Sequence, residues 1–184
     1  MILKKFKMIR FINVLTTLRI LLAPIILFFL IFGDYLICTF LFFIAGISDY
    51  FDGYLARKYN AESQLGEILD PIADKVLVVF ILIGLSVNFH SYLMAVLSSF
   101  IIAREIGVAA LRDYAARTNM SHKTKVTFLA KSKTAIQLFT IMLYLIALSL
   151  NLNLLIIISD ISLIAATLIT LYTGYEYANN IFTK

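Results

Sequence analysis

The sequence predicts an all-α integral membrane protein with six transmembrane helices and an N-terminal interfacial amphipathic segment. Of its 184 residues, 61% are hydrophobic and only 15% are charged, and the mean hydropathy is +0.93. Soluble globular chains hold about half apolar and roughly a quarter charged residues. Apolar runs recur from one end of the chain to the other. The single cysteine, Cys38, lies in such a run, which excludes a disulfide framework and a cysteine-based zinc site.

The distribution of basic residues predicts the orientation. Three short connections between apolar runs, at residues 33–34, 86–92 and 151–153, contain neither Lys nor Arg. By the positive-inside rule these connections face outward, and both termini face the cytoplasm. We therefore expect a multi-pass membrane protein with its functional site facing the cytoplasm. Basic residues near the lipid surface account for the net charge of +5 without a nucleic-acid partner.

Each predicted element follows from an apolar run between charged residues. The first ten residues combine three lysines with apolar side chains and predict a segment lying in the membrane interface. In the third span, Asp70 has the position of an N-cap and Pro71 that of the first helical residue. One domain over residues 1–184 is expected, with spans over residues 11–32, 35–58, 70–88, 92–117, 123–150 and 153–178.

Four of these spans carry charges well inside the hydrocarbon. Counting from the outer side, thirteen uncharged residues precede Arg19 in the first span and fourteen precede Asp49 in the second. Fourteen precede Lys75 and Asp74 in the third span, and twelve precede Arg104 in the fourth. At ~1.5 Å per residue these charges lie on the order of 20 Å from the outer face. Because isolated charges are costly in lipid, we expect them to converge on a hydrated cavity open to the cytoplasm.

Acidic residues dominate this predicted cavity. Asp49 and Asp52 are three residues apart and share one face of the second span, while Asp70 and Asp74 are about one turn apart in the third. Four such carboxylates would repel one another unless cations or protons neutralise them. Oxygen ligands without convergent His or Cys favour two hard divalent cations, Mg²⁺ or Mn²⁺. A proton relay is the alternative without metal.

The spacing of these residues points to a family. The small residues Gly53, Ala56 and Gly66 permit close approach of a ligand to the backbone, and Arg57 is a suitable phosphate partner. Together the chain reads Asp49-x2-Asp52-Gly53-x2-Ala56-Arg57-x8-Gly66-x3-Asp70-x3-Asp74. This pattern resembles the signature of the CDP-alcohol phosphotransferase family at every fixed position.

The resemblance implies a six-helix membrane enzyme, a homodimer, that displaces CMP from a CDP-linked lipid by an alcohol. It implies that the four aspartates hold two metal ions on the diphosphate and that Asp74 is also the general base. It further implies that Asp49 and Asp52 lie along the CDP moiety with Gly53, Ala56, Arg57 and Gly66. Asn13 and Thr16 are candidates for polar support near the nucleotide.

A second group of basic residues, on the fourth and fifth predicted spans, is the candidate binding site for the acceptor alcohol. A group of several cations suits an anionic phosphate better than a neutral alcohol. The alternative is that these residues only form the cytoplasmic edge of the protein, with local Arg104–Glu105 and Arg112–Asp113 pairs. The segments around residues 13–24, 102–112 and 131–137 resemble bacterial members of the family that use glycerol 3-phosphate. The resemblance thus implies transfer of a phosphatidyl group from CDP-diacylglycerol to glycerol 3-phosphate. The candidates for binding the acceptor phosphate are Arg104, Arg112, Lys131 and Lys133.

Other interpretations remain open at this point. Another family member would use serine, inositol or phosphatidylglycerol as acceptor. A proton-coupled transporter would also place acids in the membrane, but it needs access from both sides. Outside the site, Asp160 is expected to bond to Ser162, to a neighbouring helix or to a dimer partner. Three tyrosines near the end of the last span predict an interfacial aromatic belt: Tyr172, Tyr175 and Tyr177.

Overall fold

The computed structural model describes residues 2–59, 61, 63–118 and 128–183, without the side chains of residues 2–7, 64, 67 and 128–131. This part of the chain forms helices and no strand, which confirms the predicted all-α class. The six helices are α1 (Ile2–Phe32), α2 (Tyr35–Tyr59), α3 (Gln64–Phe89), α4 (Tyr92–Arg117), α5 (Phe128–Leu150) and α6 (Asn153–Phe182).

Five of the helices are long and apolar enough to cross a membrane. They are α2, α4 and α6, together with α1 from Met8 and α5 from Ser132. With the 26-residue α3, the bundle accommodates the predicted six spans. Large apolar side chains such as Leu36, Leu154 and Leu168 are exposed on the outer surface, as a lipid-facing surface requires.

Tight turns connect three helix pairs where the sequence predicts the outer connections. Gly33, with φ +84°, joins α1 to α2, and glycine adopts this left-handed conformation without steric cost. His90 (φ 48°) ends α3, and Asn151 (φ 52°) lies between α5 and α6. Ser91 then caps α4 by accepting a hydrogen bond from the Met94 amide at 3.3 Å. These turns make each pair of helices antiparallel neighbours.

The start of α3 differs from the prediction. Ser63, with an extended backbone, accepts a hydrogen bond from the Gly66 amide at 3.0 Å and is the N-cap. The helix therefore begins at Gln64, and the prediction of Asp70 as N-cap is wrong: Asp70 and Pro71 lie inside the helix. A serine side chain that closes the first turn supplies the capping interaction expected of Asp70. The carboxylate of Asp70 is then available for tertiary contacts.

The N-terminal segment also differs in form from the expectation. Residues 2–32 form one continuous helix, without a break between the predicted interfacial segment and the first span. Its apolar, membrane-crossing part begins at Met8. The predicted start of the fifth span, residues 123–127, lies outside the described residues.

Helix α3, like α5, contacts helices on several sides. It packs against α1, α4 and α5, while α2 contacts α1 and α5, and α6 contacts α4 and α5. At Gly84 a Cβ atom would lie 2.6 Å from the Leu30 Cδ2 atom and 2.7 Å from the Leu27 Cδ1 atom, so glycine permits the close approach of α1 and α3. The core at this level includes Ile26 and Ile81, both fully buried.

Polar contacts join α5 and α6 in the outer half of the bundle. The Tyr144 hydroxyl donates to Asp160 Oδ1 at 2.6 Å, so Asp160 bonds to a neighbouring helix, one of the predicted outcomes. Ser162 instead shares a hydrogen bond of 2.6 Å with Thr140. Cys38 is buried in the core, where its thiol lies 3.5 Å from the Ile26 carbonyl oxygen.

Candidate active site

A buried arginine lies at the centre of the predicted carboxylates. Arg19 of α1 donates from Nη1 to Asp49 Oδ1 at 2.6 Å and to Asp74 Oδ1 at 2.8 Å. Its Nη2 atom donates to Asp52 Oδ2. One guanidinium group thus connects α1, α2 and α3 in the membrane interior. We call Arg19, Asp49, Asp52, Asp70 and Asp74 the carboxylate cluster.

The cluster is buried on one side and open on the other. The side chains of Arg19 and Asp52 are 1% and 4% exposed, whereas those of Asp49 and Asp74 are 45% and 38% exposed. One positive charge faces four carboxylates, so the ionised cluster retains an excess of negative charge. Such an excess in a low-dielectric setting attracts further cations.

The fourth aspartate is held by a different residue of α1. Thr16 is fully buried, and its hydroxyl donates to Asp70 Oδ1 at 2.9 Å. Because Thr16 and Arg19 are three residues apart, they present one face of α1 to all four acids. The structure therefore brings Asp70 to the cluster through Thr16.

Asn13 lies on α1, one turn before Thr16, and it contacts the start of α3. Its Oδ1 atom accepts a hydrogen bond of 3.0 Å from Ser63, the N-cap of α3. A Cβ atom at Gly66 would lie 3.3 Å from this Oδ1 and 3.1 Å from Ser63 Oγ. Glycine at this position thus leaves room for both polar atoms. Asn13 and Gly66, both predicted near the nucleotide, lie together.

The remaining residues predicted to bind CDP lie on the last turns of α2. Gly53 and Ala56 are half-buried, and Arg57 is exposed. A Cβ atom at Gly53 would lie 3.8 Å from Arg57 Nη2, so this guanidinium group lies along the glycine face of the helix. Among the described residues Arg57 has no ion-pair partner. It is available to an anionic ligand at the open end of the cluster.

A cavity of about 190 Å³, lined by both charged and apolar side chains, adjoins the cluster. It lies between α3, α4, α5 and α6, and Asp74 is one of its lining residues. This volume is below the roughly 300–1,000 Å³ of sites for drug-sized ligands, so the cavity suits a smaller molecule. We call it the basic cavity, because four cationic side chains line it: Lys75, Arg104, Arg112 and Lys133.

Glu105 organises the cations of the basic cavity. Its Oε1 atom accepts hydrogen bonds from Lys133 Nζ and, at 3.2 Å, from Arg104 Nη1. Arg104 also donates from Nη2 to Thr173 of α6 at 3.0 Å. Beside it, a Cβ atom at Gly174 would lie 2.9 Å from Arg104 Cγ, so glycine lets the side chain cross α6 closely. These contacts fix Arg104 and Lys133, from α4 and α5, on one cavity.

The other predicted acceptor residues are placed less tightly. Arg112 lines the cavity but is exposed. The expected Arg104–Glu105 pair is present, whereas Asp113 pairs with Arg117, at 2.9 Å, and not with Arg112. The side chain of Lys131 lies outside the described residues.

Arg19 is expected at the cavity from its depth, but it is not among the site residues predicted from the sequence. Arg19 lies at nearly the same depth as Asp49, and a cation at that depth requires a partner, so this signal could have identified Arg19 as the partner of the carboxylates. The part played by α6 was also missed. Tyr177 lines the basic cavity with a buried hydroxyl, whereas Tyr172 and Tyr175 are exposed as an interfacial belt requires. Only the packing of α6 against α4 distinguishes these tyrosines.

The donor set suits hard divalent cations. Carboxylate oxygens are the ligands that Mg²⁺ and Mn²⁺ prefer. In the described part of the chain, no three acidic, His or Cys side chains stand ready to hold a metal ion as they are placed. Instead, the guanidinium group of Arg19 is the cation that three of the carboxylates share. The chemistry therefore fits a divalent cation, with Arg19 as a stand-in for its positive charge.

Comparisons with known proteins cover most of the chain. A sequence model of the CDP-alcohol phosphatidyltransferase family matches residues 11–173. A protein of Blochmanniella floridana, named CDP-diacylglycerol–glycerol-3-phosphate 3-phosphatidyltransferase, is 40% identical over 171 residues, 91% of this chain and 88% of its own. A protein of the same name from Haemophilus influenzae is 38% identical over 130 residues, 69% of this chain and 70% of its own. Another from Salmonella choleraesuis is 36% identical over 129 residues, 68% and 71% of the two chains.

Proposed function

The chain belongs to the CDP-alcohol phosphatidyltransferase family, and we propose that it transfers the phosphatidyl group of CDP-diacylglycerol to glycerol 3-phosphate. The products are phosphatidylglycerophosphate and CMP. The names of the relatives support both substrates. The bundle of apolar helices supports a lipid donor.

One observation carries the assignment of the reacting centre. Asp74 bonds to Arg19 in the carboxylate cluster and also lines the basic cavity. The donor's diphosphate, held at the cluster, and the acceptor, held in the cavity, would therefore meet at Asp74. A base must lie within hydrogen-bond reach of the proton that it takes, and this carboxylate stands at the boundary between the two compartments.

The reaction proceeds by displacement at phosphorus. The primary hydroxyl oxygen of glycerol 3-phosphate attacks the phosphorus atom that carries the diacylglycerol, and a new P–O bond forms. The phosphoanhydride bond breaks, and CMP leaves with its electron pair. The proton of the attacking hydroxyl passes to the Asp74 carboxylate, as in general base catalysis.

Divalent cations complete the proposed chemistry. Asp49, Asp52, Asp70 and Asp74 would hold two ions, Mg²⁺ or Mn²⁺. When bound, such ions neutralise the diphosphate and stabilise the charge that develops on the leaving group. Among the chain's own residues, Thr16 orients Asp70 for this role, and Arg19 pairs with the other three carboxylates, where it would compete with the ions.

The donor end has a polar part and an apolar part. We assign the CDP diphosphate to Arg57 at the end of α2, since its exposed guanidinium group lies beside Gly53. An apolar groove of about 480 Å³ opens between α2 and α5, lined by Phe42, Phe43, Gly46, Ile47, Tyr50, Phe51, Phe139 and Met142. Tyr50 and Phe51 lie between the two acids of α2 in the chain. An acyl chain in this groove would keep the lipid phosphate beside the cluster.

The acceptor end favours a phosphorylated alcohol. Arg104 and Lys133 are both largely buried and converge on Glu105. A phosphate group that binds between them forms charge-assisted hydrogen bonds of the strong class. Serine and inositol carry no phosphate to bind Arg104 and Lys133, so they suit the cavity less well.

We place the protein in the bacterial inner membrane, with its termini and its active site on the cytoplasmic side, as the distribution of its basic residues indicates. We also propose a homodimer, which the family resemblance supports. Chemical labelling of single cysteines from either side tests the orientation, and crosslinking in native membranes tests the dimer.

The reaction itself is tested by CMP release. Purified protein in detergent receives CDP-diacylglycerol, Mg²⁺ or Mn²⁺ and one acceptor at a time: glycerol 3-phosphate, serine, inositol or phosphatidylglycerol. We expect release only with glycerol 3-phosphate and loss of release on chelation. Release with another alcohol would agree with the family assignment but would contradict glycerol 3-phosphate as the acceptor. Folded protein that releases no CMP with any of them would overturn the proposal.

A further inference from the structure

Some buried polar atoms of this protein lack hydrogen-bond partners within the described residues. In the described residues there are three such side-chain atoms: Arg19 Nε, Arg104 Nε and Tyr177 Oη. Two of them, on Arg104 and Tyr177, belong to residues that line the basic cavity. A buried donor that finds no partner in the protein costs stability unless a ligand or water completes it. This cavity therefore has unused hydrogen-bonding capacity.

Tyr177 is held at this place by the packing of α6. It follows Thr173 by four residues and so lies on the same face of the helix, one turn further on. Thr173 receives the Arg104 guanidinium at 3.0 Å, so that face of α6 is turned towards the cavity. The neighbouring Tyr175 is 71% exposed and points away. The buried hydroxyl of Tyr177 is thus set by the fold and is not a general feature of the helix end.

Two other buried polar residues of the cavity, Gln137 and Thr173, already have partners. Gln137 donates to Thr170 at 2.9 Å, and Thr173 donates to the Ile169 carbonyl at 2.8 Å. Tyr177 is the neutral residue of this lining whose buried hydroxyl is left unpaired among the described residues. A tyrosine hydroxyl both donates and accepts, so it suits an alcohol as partner.

The chemistry of the acceptor supplies a matching group; this step rests on the proposed function. Glycerol 3-phosphate has a phosphate at one end, for Arg104 and Lys133, and a reacting primary hydroxyl at the other, for Asp74. The secondary hydroxyl between them takes no part in the reaction and still requires a partner when water is excluded. We propose that the Tyr177 hydroxyl binds this secondary hydroxyl and thereby selects a glycerol backbone over a plain alkyl chain.

A pair of acceptors tests the proposal. 3-Hydroxypropyl phosphate keeps the phosphate and the primary hydroxyl of glycerol 3-phosphate and lacks only the secondary hydroxyl. CMP release gives kcat/KM for each acceptor with the wild type, Tyr177→Phe and the control Tyr175→Phe. We expect the wild type and the control to prefer glycerol 3-phosphate by about threefold to tenfold, the contribution of one hydrogen bond. Tyr177→Phe should bring this preference close to one, with the KM for CDP-diacylglycerol unchanged.

The outcomes separate this inference from the function on which it rests. An unchanged preference in Tyr177→Phe, or an equal loss with both acceptors, would overturn the role of Tyr177 while the reaction stands. A purely structural effect would lower kcat/KM for both acceptors alike, so the ratio distinguishes the two roles. A wild-type protein that releases no CMP with glycerol 3-phosphate would overturn the proposed function, and the inference with it.

Discussion

The Nη1 atom of Arg19 lies 2.6 Å from Asp49 Oδ1, so a fully buried cation of α1 is paired with a partly exposed carboxylate of α2. The pair joins α1 and α2 at the carboxylate cluster. A divalent cation bound by Asp49 would be repelled by the same guanidinium group, so the ion and Arg19 would compete for this carboxylate.

Replacing Arg19 tests this competition. Without the guanidinium group, Arg19→Gln leaves the buried Asp52 without its cation. We expect the free energy of unfolding in chelator to fall by about 3–5 kcal/mol, the usual loss when one partner of a buried pair is removed. Added Mn²⁺ should then raise the melting temperature more in the variant than in the wild type, since no resident cation opposes the ion.

Arg19→Lys is the matched control, because it retains the charge and should lie between the wild type and Arg19→Gln in chelator. Electron paramagnetic resonance of Mn²⁺ measures the affinity directly. Equal Mn²⁺ affinity in all three proteins would show that Arg19 and the metal do not compete.

Asp74 is predicted to be the base. Asp74→Asn keeps the size of the side chain and removes its capacity to take a proton, so we expect turnover to fall by about 10²–10⁴-fold. The folded state should persist, as measured by the thermal unfolding of the variant. Asp113→Asn, at an exposed acid that pairs with Arg117, should keep wild-type turnover. Near-normal activity of Asp74→Asn would remove Asp74 as the base.

Lys133 is predicted to bind the acceptor phosphate. We expect Lys133→Ala to raise the KM for glycerol 3-phosphate about tenfold to a hundredfold, the contribution of a charge-assisted hydrogen bond. The KM for CDP-diacylglycerol should change far less. Lys58→Ala, which removes a charge at the exposed end of α2, is the control. If both KM values rise equally in Lys133→Ala, Lys133 serves the architecture of the site and not the acceptor.

The apolar groove is predicted to hold an acyl chain of the donor. A Cβ atom at Gly46 would meet nothing within 4 Å, so Gly46→Leu fills the groove without displacing the backbone. We expect a higher KM for CDP-diacylglycerol and an unchanged KM for glycerol 3-phosphate. Gly107→Leu is the control. Gly107 lies on α4, outside the groove, and a Cβ atom there would also meet nothing within 4 Å. An unaffected lipid KM in Gly46→Leu would exclude the groove as the acyl site.

Much of the fold could be predicted because hydropathy and charge determine it locally. Helix ends at the three tight turns follow from polar or glycine residues between apolar runs. The start of α3 could not be settled in the same way, since Ser63 and Asp70 are both good N-caps. Which one caps the helix depends on tertiary contacts: Ser63 bonds to Asn13, and Asp70 bonds to Thr16.

The site was predictable to the extent that it depends on spacing along one helix. Asp49 and Asp52, three residues apart, had to share a face. Contacts between helices depend on their rotation and distance, which no local pattern reports. The joint binding of Arg104 and Lys133 by Glu105 requires α4 and α5 to present these residues to one cavity. The different surroundings of Tyr175 and Tyr177 likewise arise from the contact of α6 with α4.

The pairing of Arg19 with Asp49 also bears on how the chain enters the bilayer during synthesis. A charged side chain at the centre of a single inserting helix costs about 2.5–3.5 kcal/mol, and Arg19 alone would impose this cost on α1. The tight turn at Gly33 brings α2 directly back along α1. The two helices can therefore insert as a hairpin in which opposite charges neutralise each other before either meets lipid. We expect the biogenesis of this enzyme to depend on the same ion pair that organises the carboxylate cluster.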